Sequence, residues 1–386
     1  MKVIKNMNVK HYGMIIALVL IAGMFQLLTN GMLLQPLNIT NLILQNAYIM
    51  ILAIGMLFVI VTGNIDLSVG SVAGFTGAVS GVMMVQMNLP VGVAVLAGLG
   101  MGALAGGFHG FWIAYKGIPA FIVTLAGMLV FRGLTMVTLG GQTISPFPTG
   151  FGVMASGFLT SYFGNAGAYV VTFGVTGLIS VAMVLLEWRE RQTQRRHGMV
   201  PMGRWAFTFK MVFFLGLING FGWMLAQHQG IPMVLILLGA LIVVYHVVAS
   251  RTITGRHVYA YGGNPKAAEL SGLKTKQLVF WVYVNMGMLA ALAGLVFAAR
   301  LNAATPRAGT MFELDAIAAC FIGGASAKGG VGKVMGVIIG ALIMGILNNG
   351  MSIMGIGVDY QQAIKGLMLL AAVVLDVYTK NKHATT

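Results

Sequence analysis

A single aspartate stands within the apolar N-terminal part of the chain. Asp66 is the only acidic residue before Glu187, and apolar segments flank it on both sides. A carboxylate at membrane depth costs roughly 2.5–3.5 kcal/mol on insertion scales, so it is rarely kept without a partner or an aqueous cavity. Asn64 and Ser68 supply hydrogen-bonding groups beside it. Two compatible interpretations follow: Asp66 caps a helix that begins near Leu67, or it lies beside a transmembrane pathway.

Two further polar groups interrupt the C-terminal apolar runs. Asn348 and Asn349 lie near the end of the run 333–355, where their amides could bind a neutral polyol or form hydrogen bonds between helices. Glu313 and Asp315 precede a short apolar run. We expect these two acids at an outer mouth, either in ion pairs with the nearby arginines or in contact with an external partner, rather than in catalysis; the arginines are Arg300 and Arg307.

Residues 262–273, GGNPKAAELSGL, form a polar island between long apolar segments. Asn264 can accept hydrogen bonds at a helix N-terminus, Pro265 fits the first helical position, and Gly272 can adopt the left-handed conformation that ends a helix. About two turns of helix are not stable alone in water, so this helix must rest on something. It is either a surface turn packed on its own chain or a docking element for a partner.

The sequence offers no catalytic or metal-binding constellation. The glycine-rich stretch 323–333 lacks the phosphate-loop pattern, because Ala327 stands at the first glycine position and Val334 follows Lys333. The seven histidines show no metal-ligand spacing, and the single Cys320 excludes a disulfide within the chain. We therefore expect no catalytic residue, no metal site and no cofactor in this chain.

Composition places the chain among polytopic membrane proteins. It is 58% hydrophobic and only 8% charged, whereas soluble domains carry roughly 25% charged residues. Runs of about 20 apolar residues predict ten to twelve transmembrane helices in a single all-α domain, 1–386. The predicted spans are 12–29, 43–62, 67–87, 91–115, 119–139, 166–186, 207–227, 230–249, 277–298, 312–324, 333–355 and 362–379.

The positions of lysine and arginine predict the orientation. With the N-terminus inside, all the basic residues except Arg132, Arg300, Arg307 and Lys365 fall in internal segments. Both termini, with Lys2, Lys5, Lys380 and Lys382, are then cytoplasmic. So are a basic loop at 189–210 and the loop 251–276. The net charge of +15 therefore reflects membrane orientation and not nucleic-acid binding.

Two polar, glycine-rich breaks resemble each other. Val61–Ser71 and Gly323–Lys333 each follow an apolar run and precede a helix with a glycine face. Such a pair is typical of broken helices that line a transport pathway, and the run 312–324 is itself too short to cross a bilayer.

Four stretches together resemble one family. They are TGNIDLSVGS at 62–71, PAFIVTLAGMLVFRG at 119–133, YGGNPKAAELSGL at 261–273 and LDAIAACFIGGASAKGGVGKVMG at 314–336. The family is that of the membrane permease subunits of bacterial ABC importers for monosaccharides. Compared with the shorter ribose-type members, the chain has an additional portion around 166–227. In this it looks closest to the xylose or multiple-sugar members. The chain departs from the usual family pattern at Asn64 and at Ala325–Ala327, which leaves the sugar unassigned.

The resemblance implies a type II importer architecture and a set of partners in the bacterial cytoplasmic membrane. A second permease subunit, expected to be a copy of this chain, would pair around a central pathway. A cytoplasmic ATPase would bind ATP and Mg²⁺ and dock on the helix at 264–272. A periplasmic or lipid-anchored sugar-binding protein would deliver the monosaccharide, a pentose or a hexose.

The resemblance also implies site residues. Small alanines of the docking helix are expected to fit an ATPase groove, and its glutamate to pair with a basic residue there. The expected coupling residues are Gly263, Asn264, Ala267, Ala268, Glu269, Leu270, Ser271 and Gly272. The expected pathway residues are Asn64, Asp66, Ser68, Phe121, Thr124, Asn348 and Asn349.

A rival function belongs to a different class. An ion-coupled secondary sugar transporter would also use broken helices and an intramembrane carboxylate such as Asp66. Under that hypothesis the helix at 264–272 would have no partner to bind. Uptake that survives ATP depletion and collapses with an ionophore would favour this rival.

Overall fold

The protein is described by a computed structural model over residues 9–164 and 167–384, and its side chains over 13–164 and 167–374. The terminal lysines used for the orientation lie outside the described side chains. The described residues are almost wholly helical, with only two isolated β-bridges. The α-helices are α1 (Val9–Leu28), α2 (Pro36–Val61), α3 (Val69–Val85), α4 (Val91–Ala114), α5 (Ala120–Leu139), α6 (Thr149–Ser156), α7 (Ala168–Arg196), α8 (Arg204–Ala226), α9 (Met233–Arg251), α10 (Ile253–Gly263), α11 (Pro265–Leu270), α12 (Thr275–Leu301), α13 (Phe312–Ile322), α14 (Val334–Ile353) and α15 (Val358–Ala384).

Eight helices in the described part of the chain are long and apolar enough to cross a membrane: α2, α4, α5, α7, α8, α9, α12 and α14. Two shorter apolar helices, α3 and the part of α1 from Gly13 to Leu28, complete ten of the predicted spans. The all-α membrane fold expected from composition is thus confirmed.

The chain divides into two compact units. The first comprises Met1–Leu33, Leu42–Ser156 and Val234–Thr386, and the second Leu34–Asn41 and Gly157–Met233. In the first unit, α2 and α12 are mostly buried, whereas α9 exposes most of its apolar surface. Helices α4 and α12 approach so closely that a methyl group at Gly106 would collide with the Tyr283 carbonyl oxygen. Glycine therefore sets the distance between these two helices.

The second unit is built on the α7–α8 hairpin. The Asn219 side chain bridges the helices, with Nδ2 donating to Ser180 Oγ at 3.0 Å and the Thr176 hydroxyl donating to Asn219 Oδ1 at 3.2 Å. Lys210 and Glu187 form an ion pair at 2.6 Å. The basic segment 189–210 is largely helical, because α7 continues to Arg196 and α8 begins at Arg204.

The broken helix expected at 312–324 is α13, in the first unit. Its 11 residues span about 16 Å, roughly half of a bilayer core. The segment before it runs back along α3: Ala304 pairs with Ile144, and Ala308 and Gly309 pack against Gly74 and Gly70. α13 consequently starts beside the middle of α2, where the rings of Tyr48 and Phe312 stack with their centres 3.8 Å apart.

Candidate coupling and translocation site

The polar island folds as its residues predict. Asn264 Oδ1 accepts the Ala267 backbone N–H at 3.0 Å, and Pro265 begins α11. Gly272 is left-handed with φ +85°, and the backbone N–H of Leu273 donates to the Ala268 carbonyl at 3.1 Å. The predicted cap and stop of this helix are confirmed.

The outward face of α11 differs from the one expected. Ala268 is only 7% exposed and is covered by its own chain, so it does not stand ready for a partner's groove. Leu270 is 82% exposed and is the apolar side chain that this helix presents. Gly263, Asn264, Ala267, Glu269, Ser271 and Gly272 are also exposed. In a helix this short, the alternation of inner and outer faces depends on what it rests on, which local pattern does not reveal.

α10, which the sequence placed within a loop, carries α11. Thr252 caps it by accepting the Gly255 backbone N–H at 3.1 Å. Burial, and then the negative charge of Glu269, raise the pKa of Tyr261 above its usual range, so its phenol stays neutral. The Tyr259 hydroxyl donates to the Gly332 carbonyl at 2.8 Å. α10 leads directly into α11, with the Asn264 backbone N–H donating to the Ala260 carbonyl at 3.1 Å, and it is bonded to the break at 323–333 through Tyr259.

The two glycine-rich breaks meet at the end of α10. The Gly330 backbone N–H donates to the Val61 carbonyl at 2.8 Å. Gly262 packs against both residues, and a methyl group there would collide with the Val61 carbonyl oxygen and crowd the Gly330 nitrogen. We call this contact of Val61, Gly262 and Gly330 the glycine corner. It joins the first break, the second break and the helix that carries α11.

Asp66 lies in a buried polar cluster. Its Oδ1 accepts the Ser68 backbone N–H at 2.8 Å and the Ser68 hydroxyl at 2.6 Å. Ser68 Oγ also lies 3.3 Å from Nδ1 of the buried His109 on α4. The helix begins at Val69 rather than near Leu67. Asp66 therefore stabilises the turn before the helix and does not bind the amides of its first turn.

The remaining pathway candidates fall in separate places. Thr124 is buried on α5, and its hydroxyl lies 3.5 Å from the Ile65 carbonyl oxygen, beside the Asp66 cluster. Asn64 is half-buried and binds Thr62, and Phe121 is 58% exposed. Asn348 belongs to another cluster, around Asp315, and its neighbour Asn349 is buried. The structure thus gathers Asp66, Ser68 and Thr124 and places Asn348 with Asp315.

Asp315 and Glu313 do not pair with Arg300 and Arg307 as expected. Asp315 forms an ion pair with Lys365 of α15 at 3.0 Å and accepts a hydrogen bond from the Tyr48 hydroxyl at 3.1 Å. Both acids are buried in the first turn of α13, so they lie inside the helical core rather than at an outer mouth. The two acids are buried because residues 302–311 turn back along α3 before α13 begins.

Arg132 of α5 holds the same re-entrant segment. Its Nη1 donates to the Thr310 hydroxyl at 2.6 Å and lies 3.5 Å from the Ala308 carbonyl oxygen. Its positive charge also acts on the buried Glu313. The arginine is therefore a clamp between α5 and the start of α13.

Comparison with known proteins gives the family. A family model described as "Branched-chain amino acid transport system / permease component" matches residues 38–373. The chain belongs to this permease family. The match covers both breaks, α10, α11 and the α7–α8 hairpin, so every region of the site lies within the family's own part of the chain.

Curated relatives of the permease are sugar permeases. The chain is similar to the xylose transport system permease protein of Haemophilus influenzae, with 40% identity over 98% of this chain and 99% of the relative. It is 38% identical to the xylose transport system permease protein of Escherichia coli K12 over 98% of this chain and 94% of the relative. The ribose import permease protein of E. coli K12 is 35% identical over 88% of this chain and 85% of the relative. No solved structure matches the permease.

Several long-range contacts of the permease could not be predicted from the sequence. His109, Tyr48 and Lys365 lie in largely apolar helices, and each contacts a polar group far away in the chain. Gly262 was within a recognised motif but carried no sign of its contact with Val61. The signal available was the cost of a lone polar group in an apolar span, which demands a partner without naming it.

Proposed function

We propose that this permease is the transmembrane subunit of an ATP-driven importer of a monosaccharide, with a pentose such as xylose as the first candidate. The observation that carries the proposal is its similarity, over almost its whole length, to permeases named for xylose transport. Two copies of the chain would form the pathway, and a sugar-binding protein would deliver the substrate at the outer face. ATP and Mg²⁺ would be bound by a separate ATPase and not by this chain.

We assign ATPase docking to the exposed surface of α11. Leu270 supplies an exposed apolar contact, and Glu269 supplies a charge for a basic partner residue. Asn264 and Gly272 fix the two ends of the helix, so the surface is presented in one conformation. A short, rigid helix fixed on α10 is suited to transmit a push rather than to absorb it.

Coupling would run through the glycine corner. A displacement of α11 moves α10, and α10 contacts the ends of both breaks through Gly262 and Tyr259. The first break is continuous with the Asp66 cluster, and the second leads into α14. Movement of the breaks would uncover Asp66, Ser68 and Thr124 beside Asn64 and Phe121. These groups could then bind sugar hydroxyls in turn.

The docking assignment predicts that Leu270→Asp abolishes ATP-driven uptake. The exposed leucine contributes no core packing, so the variant should insert and purify like the parent, but a desolvated aspartate in the interface should release the ATPase. Pull-down of the tagged permease from its native membranes, with the bound ATPase activity measured, checks this together with uptake of labelled xylose.

Val200→Asp is the matched control, because Val200 is also a highly exposed apolar residue, at 96%, and lies in the connection between α7 and α8. It should retain the ATPase and transport. Normal ATPase recovery and uptake with Leu270→Asp would refute docking through α11.

The choice of energy source can be tested separately. An importer of this class loses uptake when cellular ATP is depleted, even with the ion gradient maintained. Uptake that persists without ATP and stops with an ionophore would establish the ion-coupled alternative and make Asp66 the coupling carboxylate to replace. The similar permeases reported above are named for xylose transport and ribose import.

A further inference from the structure

A cavity opens at the charged end of the α7–α8 hairpin. Its volume is about 340 Å³, and it lies wholly within the second unit. Three guanidinium groups line it together with two neutral donors and two aromatic rings: Arg191, Arg195, Arg204, Gln192, Thr208, Trp188 and Phe207. A cavity with three cations and no carboxylate in its lining is suited to an anion.

Two acids lie at the same end of α7, Glu187 and Glu190, and neither of them lines the cavity. Glu187 is bound to Lys210 at 2.6 Å, and neither of the ion pairs in the described part of the chain includes Arg191, Arg195 or Arg204. Arg191 and Arg195 lie on adjacent turns of α7 and Arg204 lies on α8, and three positive charges around one cavity repel one another unless an anion lies between them. The cavity therefore holds an uncompensated positive charge.

Arg191 is held in place before any ligand arrives. Its Nη2 donates to the Met202 carbonyl at 3.2 Å, and its guanidinium lies 4.5 Å from the centre of the Phe207 ring. Its Nε is buried and has no hydrogen-bond partner. A planar guanidinium fixed in this way, with donors still unused, is the geometry that proteins use to bind phosphate in a bidentate manner.

The surroundings of the cavity are those of a membrane surface. Both α7 and α8 are long and apolar enough to cross a bilayer, and their charged ends form the cavity. Trp188 lines it, and the exposed Trp205 and Phe209 lie on the same end of α8. Tryptophan at the junction of an apolar span and a basic segment marks the interface between lipid and water. A free phosphate would use the arginines but leave the aromatic side chains without a role.

We propose that this cavity binds the phosphate group of an anionic phospholipid, with the acyl chains lying along the apolar face of the hairpin. The inference rests on the hairpin crossing the membrane and is independent of the transported sugar. Basic pockets of this kind between transmembrane helices are suited to lipid headgroups. The bound lipid would offset part of the positive charge of the cavity and fix the connection between α7 and α8.

The test measures phosphatidylglycerol bound to the purified permease by native mass spectrometry, with phosphatidylcholine as the zwitterionic comparison. Arg195→Gln combined with Arg204→Gln removes two exposed charges without touching the Met202 contact, so the hairpin should fold. We expect at least about a tenfold loss of bound phosphatidylglycerol and little change for phosphatidylcholine. Arg191→Lys keeps the positive charge but loses the planar guanidinium that can donate two parallel hydrogen bonds, so it should also weaken binding of phosphatidylglycerol.

Arg251→Gln combined with Arg256→Gln is the matched control, because it removes two exposed charges from a different segment. It should bind phosphatidylglycerol like the parent. Equal losses in the two double variants would show unspecific charge attraction and overturn the site. Displacement of the lipid by inorganic phosphate at the same concentration would also overturn it, because the aromatic rim would then contribute nothing.

Discussion

At the scale of single residues, the buried ions of this permease are stabilised by partners distant in sequence. Asp315 reaches Lys365 and Tyr48, and Asp66 reaches His109 through Ser68. The Ser68 hydroxyl has one proton, and at 2.6 Å that proton is donated to Asp66. His109 Nδ1 must then carry the proton that faces Ser68. The cluster is thus a directed chain of hydrogen bonds from α4 to the first break.

The Asp315–Lys365 pair gives a prediction at this scale. Lys365→Met leaves the buried carboxylate without its counter-charge, so the permease should lose about 3–5 kcal/mol of stability. Thermal denaturation in detergent, followed by loss of the monodisperse peak in size-exclusion chromatography, measures the change.

Lys365→Met combined with Asp315→Asn provides the control for that prediction. The second substitution removes the unpaired charge while the Tyr48 hydroxyl keeps an acceptor. The double variant should therefore recover much of the loss. If the two substitutions are simply additive, the pair does not interact in the way the geometry indicates.

At the scale of elements, the sequence predicted most of what it could encode locally. The apolar runs predicted the long helices, although α2 begins earlier and α7 ends later than the runs indicate, and Asn264, Pro265 and Gly272 predicted both ends of α11. The short α6 and α10 were missed, because neither contains a run long enough to span a membrane. The inward turn of Ala268 could not be foreseen, since it depends on the surface beneath α11.

The glycine corner gives a prediction for this scale. Gly262→Ala places a methyl group against the Val61 carbonyl and forces α10 away from both breaks. We expect a loss of about 1–3 kcal/mol in stability, together with a loss of transport in membranes where the ATPase still docks. Uptake and ATPase co-purification, measured on the same membranes, separate coupling from docking.

The neighbouring Gly263→Ala is the control. Its added methyl group has open space, and its backbone is not left-handed. The isolated permease should be as stable as the parent. If Gly262→Ala is as stable and active as Gly263→Ala, the corner does not link α10 to the breaks.

At the scale of the whole molecule, the single cysteine makes the predicted orientation testable. Cys320 is fully buried, with its thiol donating to the Ala53 carbonyl at 3.4 Å, so the parent chain should not react with a thiol reagent. Val200→Cys and Tyr162→Cys each place one thiol at an exposed position. A reagent that cannot cross the membrane should label the Tyr162 variant from outside, and the Val200 variant only after the cells are opened. The reverse pattern would invert the orientation.

The grouping of the pathway residues could not be predicted from local sequence patterns. Asp66, Ser68 and Thr124 are gathered, but Asn348 joins the Asp315 cluster instead. The re-entrant course of residues 302–311 causes this difference, because it places the start of α13 beside the middle of α2. Nothing in the local pattern of a ten-residue connection distinguishes a surface loop from one that turns back into the core.

The glycine corner also has a consequence for inheritance. Gly262 touches the backbone of Val61 and Gly330, and Gly329 packs against the backbone of Val61 and Gly262. Every missense change in a glycine codon introduces at least one side-chain carbon. Even the smallest substitution at Gly262, Gly329 or Gly330 therefore places an atom in these contacts. Random mutagenesis with selection for growth on the transported sugar should leave them unchanged while Gly263 drifts. The codons for these three glycines would then be invariant among functional genes and would mark the residues that transmit movement during transport.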